Sequence, residues 1–212
     1  MTDIPIIFSA PMVRALLGGR KTMTRRLAWR VTSSFRAIGE VPPNGVAPTT
    51  WQSARPGDRL WVRETWQLHS VASDKATVVY AASINASWTE AHNQFPIALA
   101  CGLRAPRPFQ EGWRSPLHLP RWASRLTLTI TGTKIERLQK ISNTDAIAEG
   151  CGVNFDHENP ERTRETFPAE RFRDLWARLH GMDDWDANPE VVALTFTVHK
   201  HNIDTMIKTD AA

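Results

Sequence analysis

Apolar and polar residues alternate along several short segments of the chain, and this period-two pattern predicts β-strands. The clearest segment covers residues 125–135, where Leu126, Leu128 and Ile130 alternate with threonines. Further strands are predicted at residues 4–8, 59–65, 77–82 and 191–199. Short strands therefore supply much of the expected core.

Helix start and stop signals mark three further segments. Ser9 precedes a short helix that ends at Gly18. A second short helix begins at Ser142, the first residue of a Ser-x-x-Asp signal, and ends at Gly150. The longest helix begins at Pro168. Phe172 and the three residues that follow it at helical spacing are predicted to form the apolar face of this helix. The three are Leu175, Trp176 and Leu179.

The order of these elements favours an α+β fold. Regular helices do not separate the strands, so a doubly wound parallel sheet is not expected, and a small mixed barrel with short flanking helices fits better. We expect a single domain over residues 1–200, with a loop-rich insertion at about 83–114. A short helix is predicted near 88–93, a long loop at 32–54, and a flexible tail at 201–212.

Charge is distributed unevenly along the 212 residues, whose net charge is +4. Residues 1–66 carry a net +6 and residues 67–141 a net +5, whereas residues 142–189 carry −6. A basic region favours phosphate-bearing partners such as nucleic acid. The alternative is that acidic helices cover the outside of a basic barrel, and the pattern does not separate the two.

Other classes of protein are not indicated by the sequence. No apolar run approaches the ~20 residues of a membrane helix, and no secretory signal is recognised, so a cytoplasmic protein without a membrane partner is expected. Cys101 and Cys151 lie too far apart for a Cys-x-x-Cys site. His199 and His201 alternate on one strand and are a weak metal signal. We therefore expect no metal ion and no cofactor.

The densest group of candidate functional residues lies just after the first helix. Two hydroxyls and four cations occupy the seven positions 20–26, which are Arg20, Lys21, Thr22, Met23, Thr24, Arg25 and Arg26. Such a group can hold an anionic or polar ligand, and the neighbouring cations can lower the pKa of a lysine until it serves as a base. In isolation, Lys21 could equally be a solvated cation or a phosphate contact.

A second group of candidates lies on the strand at 59–65 and near residue 121. Glu64 shares the inward face with Leu60 and Val62 and therefore needs a cationic partner, for which Lys21, Arg25 or Arg26 are candidates. Aromatic rings interleaved with guanidinium groups can stack a base and hold a phosphate; the residues are Trp61, Arg63, Trp66, Arg121 and Trp122. The alternative is that the tryptophans are core residues and the arginines are solvated.

Taken together, the motifs resemble those of the ASCH domain family, whose fold is a PUA-like β-barrel. They are Gly-Arg-Lys-Thr-x-Thr at 19–24, Pro-Gly-Asp-x-Leu at 56–60 and Asp-Ala-x-x-Glu-Gly at 145–150, in the order of the family. The segments Trp-Val-Arg-Glu-Thr-Trp at 61–66 and Pro-Arg-Trp-Ala-Ser-Arg at 120–125 are similar to those of ASCH proteins encoded by phages and prophages. The resemblance covers most of the chain except 83–114.

The resemblance implies an activity and a catalytic set. The family includes amidohydrolases that remove the acyl group from N(4)-acetylcytidine, and the matching positions here are Lys21, Thr24 and Glu149. In one version Thr24 attacks the acyl carbonyl, Lys21 takes its proton, and Glu149 assists the leaving amine; in another, Lys21 and Thr24 position a water. The residues expected to contact substrate are Arg20, Thr22, Arg25, Arg26, Trp61, Arg63, Glu64, Arg121 and Trp122. Since other ASCH proteins are ribonucleases or RNA binders, a nucleic-acid-binding module and a ribonuclease remain alternatives.

Overall fold

The computed structural model describes residues 1–31, 46–83, 86–87, 91–100, 112–152 and 167–209. These residues form a mixed α+β protein with several sheets and few helices. The strands are β1 Asp3–Ile7, β2 Met23–Leu27, β3 Trp29–Val31, β4 Val46–Pro48, β5 Arg59–Arg63, β6 Trp66–Val71, β7 Lys75–Tyr80, β8 His92–Pro96, β9 Thr127–Arg137 and β10 Glu190–His199. The α-helices are α1 Ala10–Leu17, α2 Asn143–Ala146, α3 Pro168–His180, α4 Met182–Asp186 and α5 Ile203–Thr209.

The strands form three sheets. The largest has the order β1-β5-β9-β10-β2, and the others are β6-β7-β8 and β3-β4. Strands β1 and β5 run parallel, whereas β5 with β9 and β10 with β2 run antiparallel, so the large sheet is mixed. No closed barrel is found in the described ranges.

The described chain divides into two compact units, each discontinuous in sequence. The first unit comprises Met1–Gly19, Asp58–Thr129 and Val198–Ala212, and the second comprises Arg20–Gly57 and Ile130–Thr197. The chain leaves the first unit after Gly19 and returns to it at Asp58. Composition gave no sign of this division, because each unit is assembled from segments far apart in sequence.

The core of the first unit follows the alternation that the sequence predicts. Leu60, Val62 and Glu64 are buried on one face, and β1 adds Ile4 and Ile6 opposite Leu60 and Val62. A second cluster lies on the β6-β7-β8 sheet and consists of Trp66, Leu68, Ala76, Val78, Tyr80, Leu119 and Ala123. Trp66 is therefore a core residue, as its alternative interpretation held.

The core of the second unit is built mainly by α2, α3 and β10. Phe172 and Trp176 of α3 pack with Leu138, Ala146 and Val191. Leu179, predicted for the same apolar face, is 53% exposed, because the buried stripe of α3 ends one turn earlier.

Several elements differ from the prediction. Strand β8 occupies part of the segment expected to be a loop-rich insertion, and the helix predicted near 88–93 falls partly outside the described residues. The expected tail contains α5, whose Ile203 is fully buried. Within the described residues, Ile203 packs α5 into the core, and Phe95 of β8 is partly buried against the cluster on the β6-β7-β8 sheet.

No helix in the described part of the chain is both long enough and apolar enough to cross a membrane.

Candidate active site

The amine of Lys21 is buried in the second unit, just before β2. The residue is 1% exposed, and Nζ donates to Glu149 Oε2 at 2.7 Å and to the Glu149 carbonyl oxygen at 2.8 Å. Burial lowers the pKa of Lys21, the charge and hydrogen bond of Glu149 oppose that shift, and the charge of Arg26 adds to it. The amine therefore gives up its proton more readily than an ordinary lysine, which is the property that a general base needs.

Glu149 is presented by a short helical turn that the sequence signals predicted. Ser142 Oγ accepts a hydrogen bond from the Asp145 amide at 3.0 Å and begins α2. The turn continues through Ile147–Cys151 with π-helical bonding, and Gly150 within it, at φ 93°, lies in the left-handed region. Glu149 itself is only 5% exposed. The helical turn therefore fixes the position of the backbone that carries the buried Glu149 carboxylate.

The segment before β2 caps this turn. The Thr22 amide donates to the Ala148 carbonyl oxygen at 2.8 Å, next to the bond from Lys21 to the Glu149 carbonyl. The last carbonyls of a helix lack partners within the helix, so these contacts stabilise its end. The side chains of Thr22 and Arg20, both predicted to contact substrate, are exposed.

Arg25 contacts three carboxylates, one of which is the Glu149 carboxylate that binds Lys21. Its Nη2 contacts Glu136 Oε1 at 2.8 Å and Asp145 Oδ2 at 2.7 Å, and its Nη1 contacts Glu149 Oε1 at 3.3 Å. Burial alone would lower the pKa of Arg25, but the hydrogen bonds and charges of these three carboxylates raise it. Its Nε has no hydrogen-bond partner among the described residues. Arg25 was predicted to contact substrate, but at 2% exposed it binds protein carboxylates.

Thr24 lies on the opposite face of β2 from Arg25, because side chains alternate along a strand. Its hydroxyl is buried, and Oγ1 accepts a hydrogen bond from Arg26 Nη1 at 3.0 Å. Burial lowers the pKa of Arg26, and the charge of Glu149 opposes that shift. The described hydrogen bonds thus join Lys21 to Glu149 and Thr24 to Arg26, and the charge of Arg26 acts on both members of the first pair.

Glu64 belongs to the first unit and has a different partner from those predicted. Arg125 holds both carboxylate oxygens, through Nε at 2.8 Å and Nη2 at 2.9 Å, and its Nη1 donates to Ser83 Oγ at 2.7 Å. The same guanidinium lies 4.3 Å from the ring centroid of Tyr80. Burial raises the pKa of Glu64, and the hydrogen bond and charge of Arg125 oppose that shift. The inward orientation was predicted correctly, and the partner, expected among Lys21, Arg25 and Arg26, was not.

The other predicted stacking residues also belong to the first unit. Arg63 lies over the Trp61 ring at 5.3 Å, and its Nε donates to the Pro116 carbonyl at 3.1 Å. Arg121 binds Asp3 and Asp204 at 2.6 and 2.7 Å. The Trp122 ring packs edge-on against Phe95, with centroids 5.0 Å apart. These side chains therefore make structural contacts within their own unit.

Two of the carboxylates that contact Arg25, Glu136 and Asp145, were not among the predicted site residues. Glu136 has the same even-numbered parity on β9 as the buried Leu128 and Ile130, but Lys134 between them is exposed, so the alternation gave only a weak signal for Glu136. A carboxylate in phase with buried apolar residues needs a cation. Asp145 was noted only as a helix start signal, and its second role depends on tertiary packing.

The remaining candidates for metal binding or nucleophilic chemistry lie elsewhere. Burial raises the pKa of the Cys151 thiol to about 11, which keeps it protonated at neutral pH. The His199 and His201 rings lie 5.6 Å apart. Within the described ranges, no three His, Cys, Asp or Glu residues form a group that could hold a metal ion. Cys101 falls outside those ranges.

The chain was compared with models of protein families, with curated proteins and with solved structures. No family model, no curated protein and no solved structure matches it.

Proposed function

We propose that this chain is an ASCH-type amidohydrolase with a PUA-like fold, which removes an acyl group from the exocyclic amine of a modified cytosine nucleoside or base. The observation that carries the proposal is the buried pair of Lys21 Nζ and Glu149 Oε2, 2.7 Å apart, with a desolvated lysine beside a carboxylate. A base of this kind suits amide hydrolysis, in which a weak nucleophile must lose its proton. The motif resemblance supplies the substrate class.

In the first step, Thr24 Oγ1 attacks the acyl carbon of the substrate. A new C–O bond forms, the electron pair of the carbonyl moves to its oxygen, and the hydroxyl proton passes to the neutral Nζ of Lys21. Arg26 supports this step, because a cation that donates a hydrogen bond to Thr24 Oγ1 makes the hydroxyl easier to deprotonate.

In the second step, the tetrahedral intermediate collapses. The carbonyl re-forms, the C–N bond breaks, and the proton held by Lys21 and Glu149 passes to the departing exocyclic nitrogen. Water then cleaves the Thr24 ester, giving the carboxylic acid and restoring the hydroxyl. In the water version, Lys21 and Thr24 hold the water that attacks directly, and no ester forms. Neither version uses a metal ion or a cofactor.

Substitutions of Thr24 test the proposal and separate the two versions. We expect Thr24→Val, which keeps the shape of the side chain, to lower cytidine release from N(4)-acetylcytidine by about 10²-fold or more, because both versions need the hydroxyl. Thr24→Ser should retain measurable release. Mass spectrometry of the quenched wild-type reaction should show one added acetyl group on Thr24 only if Thr24 is the nucleophile. Unchanged release by Thr24→Val would contradict both versions.

The same protein preparation distinguishes the other classes of function. A free-nucleoside hydrolase turns over N(4)-acetylcytidine with little dependence on salt. A non-catalytic nucleic-acid-binding module gives salt-sensitive affinity for RNA or DNA without turnover. A ribonuclease shortens RNA. The proposal predicts the first result, and either of the others in the absence of cytidine release would overturn it.

A further inference from the structure

Two different cations hold the two oxygens of the Glu149 carboxylate. Lys21 Nζ contacts Oε2 at 2.7 Å, and Arg25 Nη1 contacts Oε1 at 3.3 Å. A carboxylate held at one oxygen can still rotate about its terminal torsion, which is soft for glutamate. Contacts at both oxygens restrict that rotation, so the orientation of Oε2 towards Lys21 depends on Arg25.

Arg25 is itself fixed in place. Its Nη2 is held by Glu136 and Asp145, and its guanidinium lies 5.7 Å from the ring centroid of Phe172. The planar, forked shape of an arginine suits this arrangement, since each terminal nitrogen points to its own acceptors. A lysine would supply the same charge but only a single nitrogen. The arrangement therefore uses the geometry of arginine as well as its charge.

Burial argues against direct contact between Arg25 and a ligand. The residue is 2% exposed, and the bonds of both terminal nitrogens run to protein groups, including Met23 Sδ at 3.4 Å from Nη1. An arginine that binds substrate has to keep donors accessible to it, and the one donor of Arg25 without a partner among the described residues, Nε, is itself buried. The contacts of Arg25 run instead to the residues around Glu149.

We infer that Arg25 is a positioning residue, which fixes the Glu149 carboxylate so that Oε2 faces Lys21 and which does not touch the substrate. Its effect on turnover rests on the proposed function, whereas its effect on the Lys21–Glu149 pair does not. The rival roles are a substrate-binding residue, which would act on KM, and a purely structural residue, which would act on stability alone.

The kinetic test uses Arg25→Lys, which keeps the charge and removes the fork. We expect kcat for N(4)-acetylcytidine to fall by about 10²-fold with KM unchanged, because misplacement of a catalytic group by about 1 Å has effects of that size. Arg59→Lys is the matched control, since Arg59 is also buried and forms a two-point contact with Asp3 at 2.8 and 2.9 Å. A raised KM with unchanged kcat, or kinetics like those of the control, would overturn the inference.

The second test does not depend on turnover. The pKa of Lys21 is read from the ¹³Cε shift of labelled lysine, a signal identified among the six lysines by its loss in Lys21→Arg. Glu149 raises this pKa, so a carboxylate that turns away from Lys21 should let it fall in Arg25→Lys. An unchanged or raised pKa would overturn the inference. If Arg25→Lys does not fold, Arg25→Gln/Glu136→Gln removes one charge of each sign and is expected to give the same fall.

The two tests together distinguish the possible failures. A pKa of Lys21 that is lower in Arg25→Lys than in the wild type, without any release of cytidine by the wild-type protein, would retain the positioning role and overturn the proposed function. Cytidine release by the wild-type protein, together with an unchanged pKa of Lys21 in Arg25→Lys, would retain the proposed function and overturn the positioning role.

Discussion

Lys21→Met should lower cytidine release by about 10²–10⁴-fold, the range expected for loss of a general base. Methionine matches the length and the apolar stem of lysine and removes the amine. The variant should also lose about 3 kcal/mol of unfolding free energy, because Glu149 stays buried with Arg25 as its remaining cation. Release is followed by chromatography and stability by urea denaturation.

A double variant separates catalysis from stability. Lys21→Met/Glu149→Gln removes both charges of the pair, and a buried pair replaced by neutral groups often costs little. We therefore expect most of the lost stability to return while cytidine release stays absent. If the double variant regained both, Lys21 would be a structural cap on the helical turn and the proposed mechanism would be wrong.

Arg125→Met should destabilise the first unit by about 3–5 kcal/mol at neutral pH, because it leaves the Glu64 carboxylate buried without its two-point partner. Cytidine release, measured at a temperature well below unfolding, should stay close to that of the wild type, since the proposed catalytic residues lie in the second unit. The loss is measured by urea denaturation at several pH values.

The loss in Arg125→Met should shrink as the pH falls. Burial raises the pKa of Glu64 above its ordinary value of 4.5, and removal of Arg125 takes away the cause that lowers it. A carboxyl whose pKa is raised in the folded state contributes stability below its unfolded pKa, and that contribution is lost as the pH rises through the folded pKa. The control is Arg125→Met/Glu64→Gln, which should regain stability and lose this pH dependence. An equal loss at every pH would contradict the role of Glu64.

The sequence predicted several elements in which one face of a segment is apolar, although it missed β6, whose Trp66 and Leu68 are buried. The alternation around β9 and the helical spacing of α3 are examples, and the structure confirms both elements. It also predicted the inward orientation of Glu64 and its need for a cation. The partner could not be predicted, because Arg125 is one of twenty arginines and lies 61 residues away.

Strand β2 was harder to predict for a physical reason. Its buried positions include Thr24 and Arg25 instead of apolar residues, so the hydrophobic period that marks other strands is absent. Two adjacent buried polar residues remove the period-two signal on which strand prediction depends. The lysine and glutamate of the candidate site lie 128 residues apart, and motif resemblance rather than spacing paired them before the structure did.

The pH dependence of kcat/KM for cytidine release from N(4)-acetylcytidine tests the central claim most directly, because only the neutral amine of Lys21 can take a proton. The rate measured with Lys21→Met is subtracted at each pH to remove spontaneous hydrolysis. Burial lowers the pKa of Lys21 below its ordinary 10.5, so we predict a rate that rises with pH to a plateau, with its midpoint below that value. Absence of release by the folded wild-type protein, or a corrected rate that does not vary with pH, would contradict the account.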